Sequence, residues 1–180
     1  MITYIPDFLP RPVADDEFDF LWNKLDWEMR EGAPRREYWQ NEYGLAYTYG
    51  SGNGVRTYEC KPWSPFVKLL MIDQNSKFGF KLDCCFINGY ADEKQALGWH
   101  ADDSPEMNPE QPVTVISLGE ERNIMFRDYA TKTIETVRLG HGSLCIMPPG
   151  FQQTHQHKIP KGDRPMGPRI SLTYRGMIVE

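Results

Sequence analysis

The sequence has 180 residues, of which 40% are hydrophobic and 25% are charged, so it is long enough for one globular domain with a sizeable core. A formal net charge of −5 argues against a histone-like basic protein, although Lys and Arg outnumber Asp and Glu by nine to five after residue 120. The N-terminus has no secretory signal and no apolar run reaches about 18 residues, so we expect an intracellular, cytoplasmic monomer without a membrane span.

Two helices are predicted in the first 79 residues. The first covers residues 15–25, where apolar residues recur at helical spacing and three acids occupy the predicted first turn. The second begins at Ser64 and Pro65, an N-cap residue followed by proline, and its predicted buried stripe consists of Phe66, Leu69 and Leu70. Residues 30–62, rich in Gly, Tyr and Arg, indicate loops and ribbon-like strands.

From residue 80 onward the hydrophobic period changes to two, which is typical of strands. The predicted strands cover residues 82–90, 113–118, 123–127, 133–139, 143–147 and 170–175. Glycine- and proline-rich turns separate several of them. We therefore expect an α+β protein with one domain over residues 1–180, in which residues 80–180 form a double-stranded β-helix (jelly-roll) core.

A candidate metal site follows the first predicted strand of this core. In an extended chain His100 and Asp102 point to the same side, so one metal ion can take a neutral nitrogen and an anionic oxygen from them. His155 or His157 could supply a third ligand from a neighbouring strand. Two histidines and one carboxylate form the facial triad of non-haem Fe(II) oxygenases. Alternatively, the His–Asp pair is a chance pattern on a solvated surface.

The C-terminal strand carries a second chemical signal. Alternation places Arg169, Ser171 and Arg175 on one face. Two arginines inside a small barrel need anionic partners, and a dicarboxylate would supply them. Asn88 and Tyr90 on a neighbouring strand would add uncharged donors. If the arginines face outward instead, the segment is an ordinary half-exposed strand.

Taken in order, these motifs resemble the AlkB family of Fe(II)/2-oxoglutarate dioxygenases, whose members reverse N-alkyl damage on nucleic-acid bases. The resemblance extends from about residue 30 to the C-terminus. The matching elements are Asn88-Gly-Tyr90, His100-Ala-Asp102, His157 with its following Lys and Ile, and the strand 169–175, where Ser171 replaces the usual Asn. The resemblance implies that His157, and not His155, is the third metal ligand.

The resemblance also implies the cofactors and the reaction. Fe(II) would bind to the His100–Asp102–His157 triad. The co-substrate 2-oxoglutarate would contact the residues Asn88, Tyr90, Arg169, Ser171 and Arg175. The implied reaction is oxidative demethylation of N1-methyladenine or N3-methylcytosine in DNA or RNA, which consumes O2 and releases formaldehyde, succinate and CO2.

Substrate recognition is assigned by resemblance to residues 1–79, which would contain a nucleotide-recognition β-ribbon. Tyr49 is the candidate for stacking on the target base, with His100 on the opposite face of that base. Tyr47, Arg35 and Asp103 are further candidate substrate contacts. Ordinary sheet packing is the alternative role for the two tyrosines. Residues 30–81 carry eight basic and five acidic residues, enough for several phosphate contacts if the basic ones cluster.

Two departures from the family pattern favour single-stranded DNA or RNA, or an unusual base, over duplex substrates. Ser104 stands where the family often has a second acid that contacts the target base. The segment before Pro34 is also short for the hairpin that fills the gap left by a flipped base. Two alternative functions follow: a hydroxylase of another substrate (modified base, free nucleotide, protein side chain or small metabolite), or a non-enzymatic jelly-roll binding module.

Overall fold

The computed structural model describes residues 1–31, 35–50 and 54–179. Within those ranges the helices are α1 (Arg11–Lys24), α2 (Pro65–Phe78) and α3 (Phe151–Thr154). The strands are β1 (Thr3–Ile5), β2 (Arg36–Asn41), β3 (Tyr47–Tyr49), β4 (Arg56–Tyr58), β5 (Cys84–Tyr90), β6 (Leu97–His100), β7 (Val113–Gly119), β8 (Arg122–Asp128), β9 (Ile134–Leu139), β10 (Ser143–Met147), β11 (His155–Ile159) and β12 (Arg169–Arg175). In the part of the chain so described, no helix is long and apolar enough to cross a membrane.

Two antiparallel sheets form the body of the molecule. The larger sheet has the strand order β1-β10-β7-β12-β5-β2, and the smaller has the order β6-β11-β8-β9. Apolar side chains of both sheets share one core, which includes Val115 from the larger sheet and Phe126 and Ile159 from the smaller. The sheets therefore pack face to face, as the predicted jelly roll requires.

The alternation of β12 determines which side chains face the interior of the jelly roll. Ile170, Leu172 and Tyr174 belong to the core that includes residues of α1 and α2, so this face of the larger sheet is covered by the helices. The alternate residues Ser171 and Arg175 line a cavity between the two sheets. The polar face of β12 thus points toward the smaller sheet, which carries the predicted metal ligands.

Both predicted helices are present, but two details of the prediction were wrong. α1 begins at Arg11, with a proline in its first turn, so the three acids predicted for the first turn lie in the second. α2 begins at Pro65 after Ser64, as predicted. Its buried side chains are Val67, Leu70, Met71 and Gln74. Leu69 is 59% exposed, because the helical period places it on the solvent side.

Residues 36–58 divide between two sheets. β2 pairs with β5 and forms an edge of the larger sheet, which the sequence prediction of a local ribbon did not anticipate. β3 and β4 form the predicted ribbon. Their Tyr47 and Tyr58 pack with Trp39 of β2 and Phe86 of β5. This aromatic cluster fixes the ribbon beside the polar face of the jelly roll.

One buried acid of α1 makes the stability of the protein depend on pH. Glu17 is 7% exposed, and its Oε1 has no hydrogen-bond partner among the residues described. Burial raises the pKa of Glu17 from 4.5 to about 7. The folded state therefore keeps a proton that the unfolded state releases as the pH rises through this window, and stability falls across it.

We predict that Glu17→Gln is more stable than the unchanged protein by about 1 to 2 kcal/mol at pH 8, with a smaller difference near pH 5. Urea unfolding at both pH values measures this. Asp16→Asn is the matched control, because Asp16 is exposed on the same helix. An equal effect of Glu17→Gln at the two pH values would contradict the assignment.

Candidate functional site

The predicted metal-binding residues meet at one edge of the smaller sheet. β6 pairs with β11 so that His100 lies directly opposite His157, and their ring centroids are 4.2 Å apart. Asp102 follows β6 by two residues. The ligand atoms of the three side chains all lie within 4.8 Å of one another. One divalent ion therefore fits between two imidazoles and a carboxylate.

The two imidazole rings are neutral, as metal ligation requires. His100 Nδ1 lies 2.8 Å from the carbonyl oxygen of Gly98, and because that oxygen can only accept, Nδ1 carries the proton and Nε2 keeps its lone pair. Burial lowers the pKa of His100 below its usual value. Burial, reinforced by the neighbouring His100 imidazole, also lowers the pKa of His157 to about 3. Both rings are thus free of the second proton that would compete with a metal.

Asp102 is oriented by Arg175. Arg175 Nη2 donates to Asp102 Oδ1 at 2.6 Å, and both side chains are buried. Burial would raise the pKa of Asp102, but the positive charge of Arg175 outweighs the effect of burial, so the pKa is lowered. Asp102 Oδ2 accepts no hydrogen bond from the described residues and lies 3.6 Å from His157 Nε2. The carboxylate is therefore ionised and turns one free oxygen toward the histidines.

A polar cavity between the sheets is lined by four of the five predicted 2-oxoglutarate contacts, and the fifth, Arg169, lies against Tyr90, which is one of the four. Arg169 lies opposite Tyr90, and Ser171 lies opposite Asn88, on the paired strands β12 and β5. Asn88, Tyr90, Ser171 and Arg175 line this cavity together with the metal triad. The Arg169 guanidinium lies 5.4 Å from the centre of the Tyr90 ring.

Unpaired donors make this cavity suitable for a dianion. Arg169 Nε and Nη1, Arg175 Nε and Nη1 and the Tyr90 hydroxyl are buried without hydrogen-bond partners in the described structure. Burial lowers the pKa of Arg169 to about 10, so the guanidinium is still charged at neutral pH. Buried donors of this kind are costly unless a ligand accepts from them. The donor set fits a dicarboxylate such as 2-oxoglutarate, and the triad fits Fe(II).

A second cavity, which we call the aromatic cavity, opens on the other side of the triad. It is lined by Arg35, Glu37, Tyr47, Tyr49, Tyr58, Phe86, Asn88, Leu97, His100, Asp102 and Arg175. Five of these residues, Asn88, Leu97, His100, Asp102 and Arg175, also line the polar cavity. His100 and Asp102 therefore lie where the two cavities meet, and His157 lines only the polar one of these two.

The predicted substrate contacts differ in where they lie. Arg35 and Tyr49 line the aromatic cavity. The Tyr49 and His100 rings are nearly perpendicular, at 89°, so they do not form the two parallel faces of a base sandwich as predicted. Tyr47 is 2% exposed and bonds through its hydroxyl to Ser104 at 3.0 Å, which makes it largely a packing residue. Asp103 lies away from the aromatic cavity.

Asp103 faces a third cavity, which it shares with Pro109 and Gln152. It is exposed, whereas its neighbour Asp102 is buried. Asp102 also lines this third cavity, whereas Asp103 is not among the residues that line the aromatic cavity. The prediction that Asp103 contacts the same substrate as Tyr49 is therefore not supported by its position. Pro34, predicted beside Arg35, lies outside the described residues.

Three residues in or beside the site were missed by the sequence analysis. Glu37 and Tyr58 line the aromatic cavity and bond to each other at 2.7 Å. Ser117 of β7 accepts from Arg169 Nη2 at 2.9 Å and holds that guanidinium in place. The alternation of Arg35 and Glu37 in a Tyr- and Trp-rich segment was the available signal for Glu37. Ser117 gave no such signal.

His155 lies outside the triad. Its Nδ1 is 2.7 Å from Thr154 Oγ1, its Nε2 is 3.5 Å from Asp128 Oδ2, and its ring stacks on Phe151 at 4.0 Å. These contacts occupy both ring nitrogens. The geometry therefore agrees with a triad that contains His157 and not His155.

Comparison with protein families matches residues 1–175 to the model of the 2OG-Fe(II) oxygenase superfamily. The chain is 31% identical to the alpha-ketoglutarate-dependent dioxygenase alkB homolog 3 of Bos taurus over 97% of its own length and 65% of that protein. It is 30% identical to the DNA oxidative demethylase ALKBH2 of Mus musculus over 81% of its own length and 63% of that protein. The chain thus spans about two thirds of these relatives, and the predicted resemblance to the AlkB family is confirmed.

Two solved structures share the fold. The structure of OsALKBH1 superposes with a TM-score of 0.63 and 17% identity, covering 97% of this chain and 96% of that one. A Pseudomonas putida prolyl-4-hydroxylase superposes with a TM-score of 0.58 and 16% identity, covering 99% of this chain and 93% of that one. At such low identity the likeness concerns the fold alone, and it confirms the predicted jelly roll.

We predict that His157→Ala weakens Mn(II) binding to the apoprotein by roughly 100-fold or more, because it removes a ligand from the triad. His155→Ala is the matched control and should leave the dissociation constant unchanged. Titration followed by the electron paramagnetic resonance of free Mn(II) measures both constants. A loss in His155→Ala equal to that in His157→Ala would reverse the assignment of the third ligand.

Proposed function

The chain belongs to the 2OG-Fe(II) oxygenase superfamily, and from this premise we propose that it is an enzyme that oxidatively demethylates N-alkylated bases in DNA or RNA. The observation that carries this proposal is that two unlike cavities meet at His100 and Asp102, two members of the candidate metal triad. One cavity offers unpaired buried donors to a dicarboxylate. The other is lined by aromatic rings, as a site for a flat heterocycle requires.

In this proposal His100, Asp102 and His157 hold Fe(II). The donors of Arg169, Tyr90 and Arg175, together with Asn88 and Ser171, hold 2-oxoglutarate. When bound, Fe(II) and 2-oxoglutarate would allow O2 to oxidise a methyl C–H bond of the base. Formaldehyde would be released from the methyl group, and succinate and CO2 from 2-oxoglutarate. Arg175 keeps Asp102 ionised and oriented for ligation. The buried position of the triad excludes bulk water from the reacting methyl group.

The aromatic cavity is the proposed place of the methylated base. A base inside a duplex cannot reach a buried triad, so it must be flipped out or presented in a single strand. Tyr49 is the ring beside His100 and would contact the base, while Tyr47 supports it from the core. Arg35 donates to Asn88 Oδ1 at 2.8 Å. We therefore propose two roles for Arg35, which would fix the wall of the aromatic cavity and also contact the substrate.

We further propose that the substrate is single-stranded and that residues 1–180 act as one monomeric domain inside the cell. The modest excess of basic residues in 30–81 supports a short, salt-sensitive footprint. The core shared by α1, α2 and the C-terminal strand supports a single domain. All four cysteines are free, which agrees with a reducing compartment.

Turnover assays test the proposal directly. We expect iron-loaded protein with 2-oxoglutarate to restore N1-methyladenine and N3-methylcytosine in single-stranded oligonucleotides while releasing formaldehyde and succinate. Duplexes should react at least about tenfold more slowly, because unpairing costs a few kcal/mol. Mass spectrometry of the oligonucleotide and quantification of succinate measure both outcomes.

Asp102→Asn is the matched inactive variant: it should abolish turnover, while its amide oxygen still accepts from Arg175 and the protein stays folded, as circular dichroism checks. Succinate without base repair would contradict the demethylase proposal and favour a hydroxylase of another substrate. No succinate under any condition would favour the non-enzymatic binding module.

A further inference from the structure

Glu37 is a buried acid that lies outside the metal triad and has no role in the metal or 2-oxoglutarate site described above. It belongs to β2, and its side chain is fully buried. It nevertheless lines the aromatic cavity, the same cavity that His100 and Tyr49 face. A carboxylate removed from water costs free energy unless its oxygens accept hydrogen bonds. The contacts of each Glu37 oxygen therefore show whether the carboxylate still needs a hydrogen-bond donor from a ligand.

The two oxygens of Glu37 have different surroundings. Oε2 accepts from the Tyr58 hydroxyl at 2.7 Å and from Arg35 Nη2 at 3.2 Å. Oε1 lies 3.5 Å from Arg56 Nη1 but accepts no hydrogen bond from any residue in the described ranges. Arg35 is in turn tied to Asn88. Glu37 is thus held in place by Oε2, whereas Oε1 is buried without a hydrogen-bond donor among the described residues.

A rigid acceptor in this cavity selects for a donor on the ligand. Adenine and cytosine carry an exocyclic amino group, which donates, whereas thymine carries a carbonyl oxygen at the corresponding position, which can only accept. A carboxylate has no proton to offer a carbonyl. Arg35 and Arg56 together more than offset the negative charge of Glu37, so the selection comes from the direction of the hydrogen bond and not from a net negative charge.

We propose that Glu37 is a specificity-determining residue, whose Oε1 accepts a hydrogen bond from the exocyclic amino group of the target base. This inference rests on the proposed function, because it places the methylated base in the aromatic cavity. It assigns N1-methyladenine and N3-methylcytosine as favoured substrates and N3-methylthymine as a disfavoured one.

A competition assay with Glu37→Gln tests the inference. Single-stranded oligonucleotides with N1-methyladenine and with N3-methylthymine compete in one reaction, so the ratio of their kcat/KM values does not depend on the folded fraction of the variant. We expect the ratio to fall by roughly 10- to 100-fold, because a charge-assisted hydrogen bond is lost and the new amide can donate to the thymine carbonyl. Glu42→Gln, an exposed acid just beyond β2, is the matched control and should keep the ratio of the unchanged protein.

Binding provides a second measurement without turnover. Fluorescence anisotropy of the same oligonucleotides, with Mn(II) and 2-oxoglutarate and without O2, should show the same loss of preference in Glu37→Gln. An unchanged preference in an active Glu37→Gln protein would overturn the inference and leave the demethylase proposal intact. If the unchanged protein repairs neither base, the demethylase proposal fails. In that case the binding measurement alone tests Glu37. If Glu37→Gln binds the N1-methyladenine oligonucleotide over the N3-methylthymine one with the same preference as the unchanged protein, the role of Glu37 is overturned.

Discussion

The ion pair between Arg175 and Asp102 is the interaction on which the site depends. Arg175 ends β12 of the larger sheet, whereas Asp102 follows β6 of the smaller one, so the pair joins the two sheets at the mouth of the jelly roll. Either charge alone would be costly in this buried position. Paired, they leave Asp102 Oδ2 directed toward His157. Correct packing of the two sheets is therefore the condition for a preformed metal-binding carboxylate.

The same pair leaves a charge imbalance inside the protein. Arg169 and Arg175 bring two positive charges, Asp102 brings one negative charge, and both histidines are neutral. Bound Fe(II) increases the positive excess, and a dianion such as 2-oxoglutarate reduces it. Serine and tyrosine hydroxyls help to solvate Arg169 but cannot neutralise it. Metal and co-substrate should therefore strengthen each other's binding, because the dianion offsets the positive charge that Fe(II) adds and Fe(II) offsets the negative charge that the dianion adds.

The sequence predicted most of the jelly roll because alternation along a strand is a local pattern. It also predicted the triad, through motifs whose members lie on two paired strands. The start of α1 was missed because no side-chain cap marks it and only Pro12 signals it. Asp103 was assigned to the substrate by the family resemblance, as the acid that follows the His100–Asp102 motif, but it lines the third cavity and not the aromatic one. Glu37 was missed because its burial results from the pairing of β2 with β5, a contact between distant segments.

The two cavities differ in the kind of hydrogen-bonding group that each leaves unpaired. The polar cavity leaves donors, on Arg169, Tyr90 and Arg175, whereas the aromatic cavity leaves an acceptor, on Glu37. A dicarboxylate has only acceptors and an amino base presents a donor, so the two proposed ligands cannot exchange places without leaving buried groups unpaired. Asn88 lines both cavities, and its carbonyl oxygen is already engaged by Arg35. Asn88 therefore connects the two cavities beside the metal site, through one side chain that lines both and is fixed by Arg35.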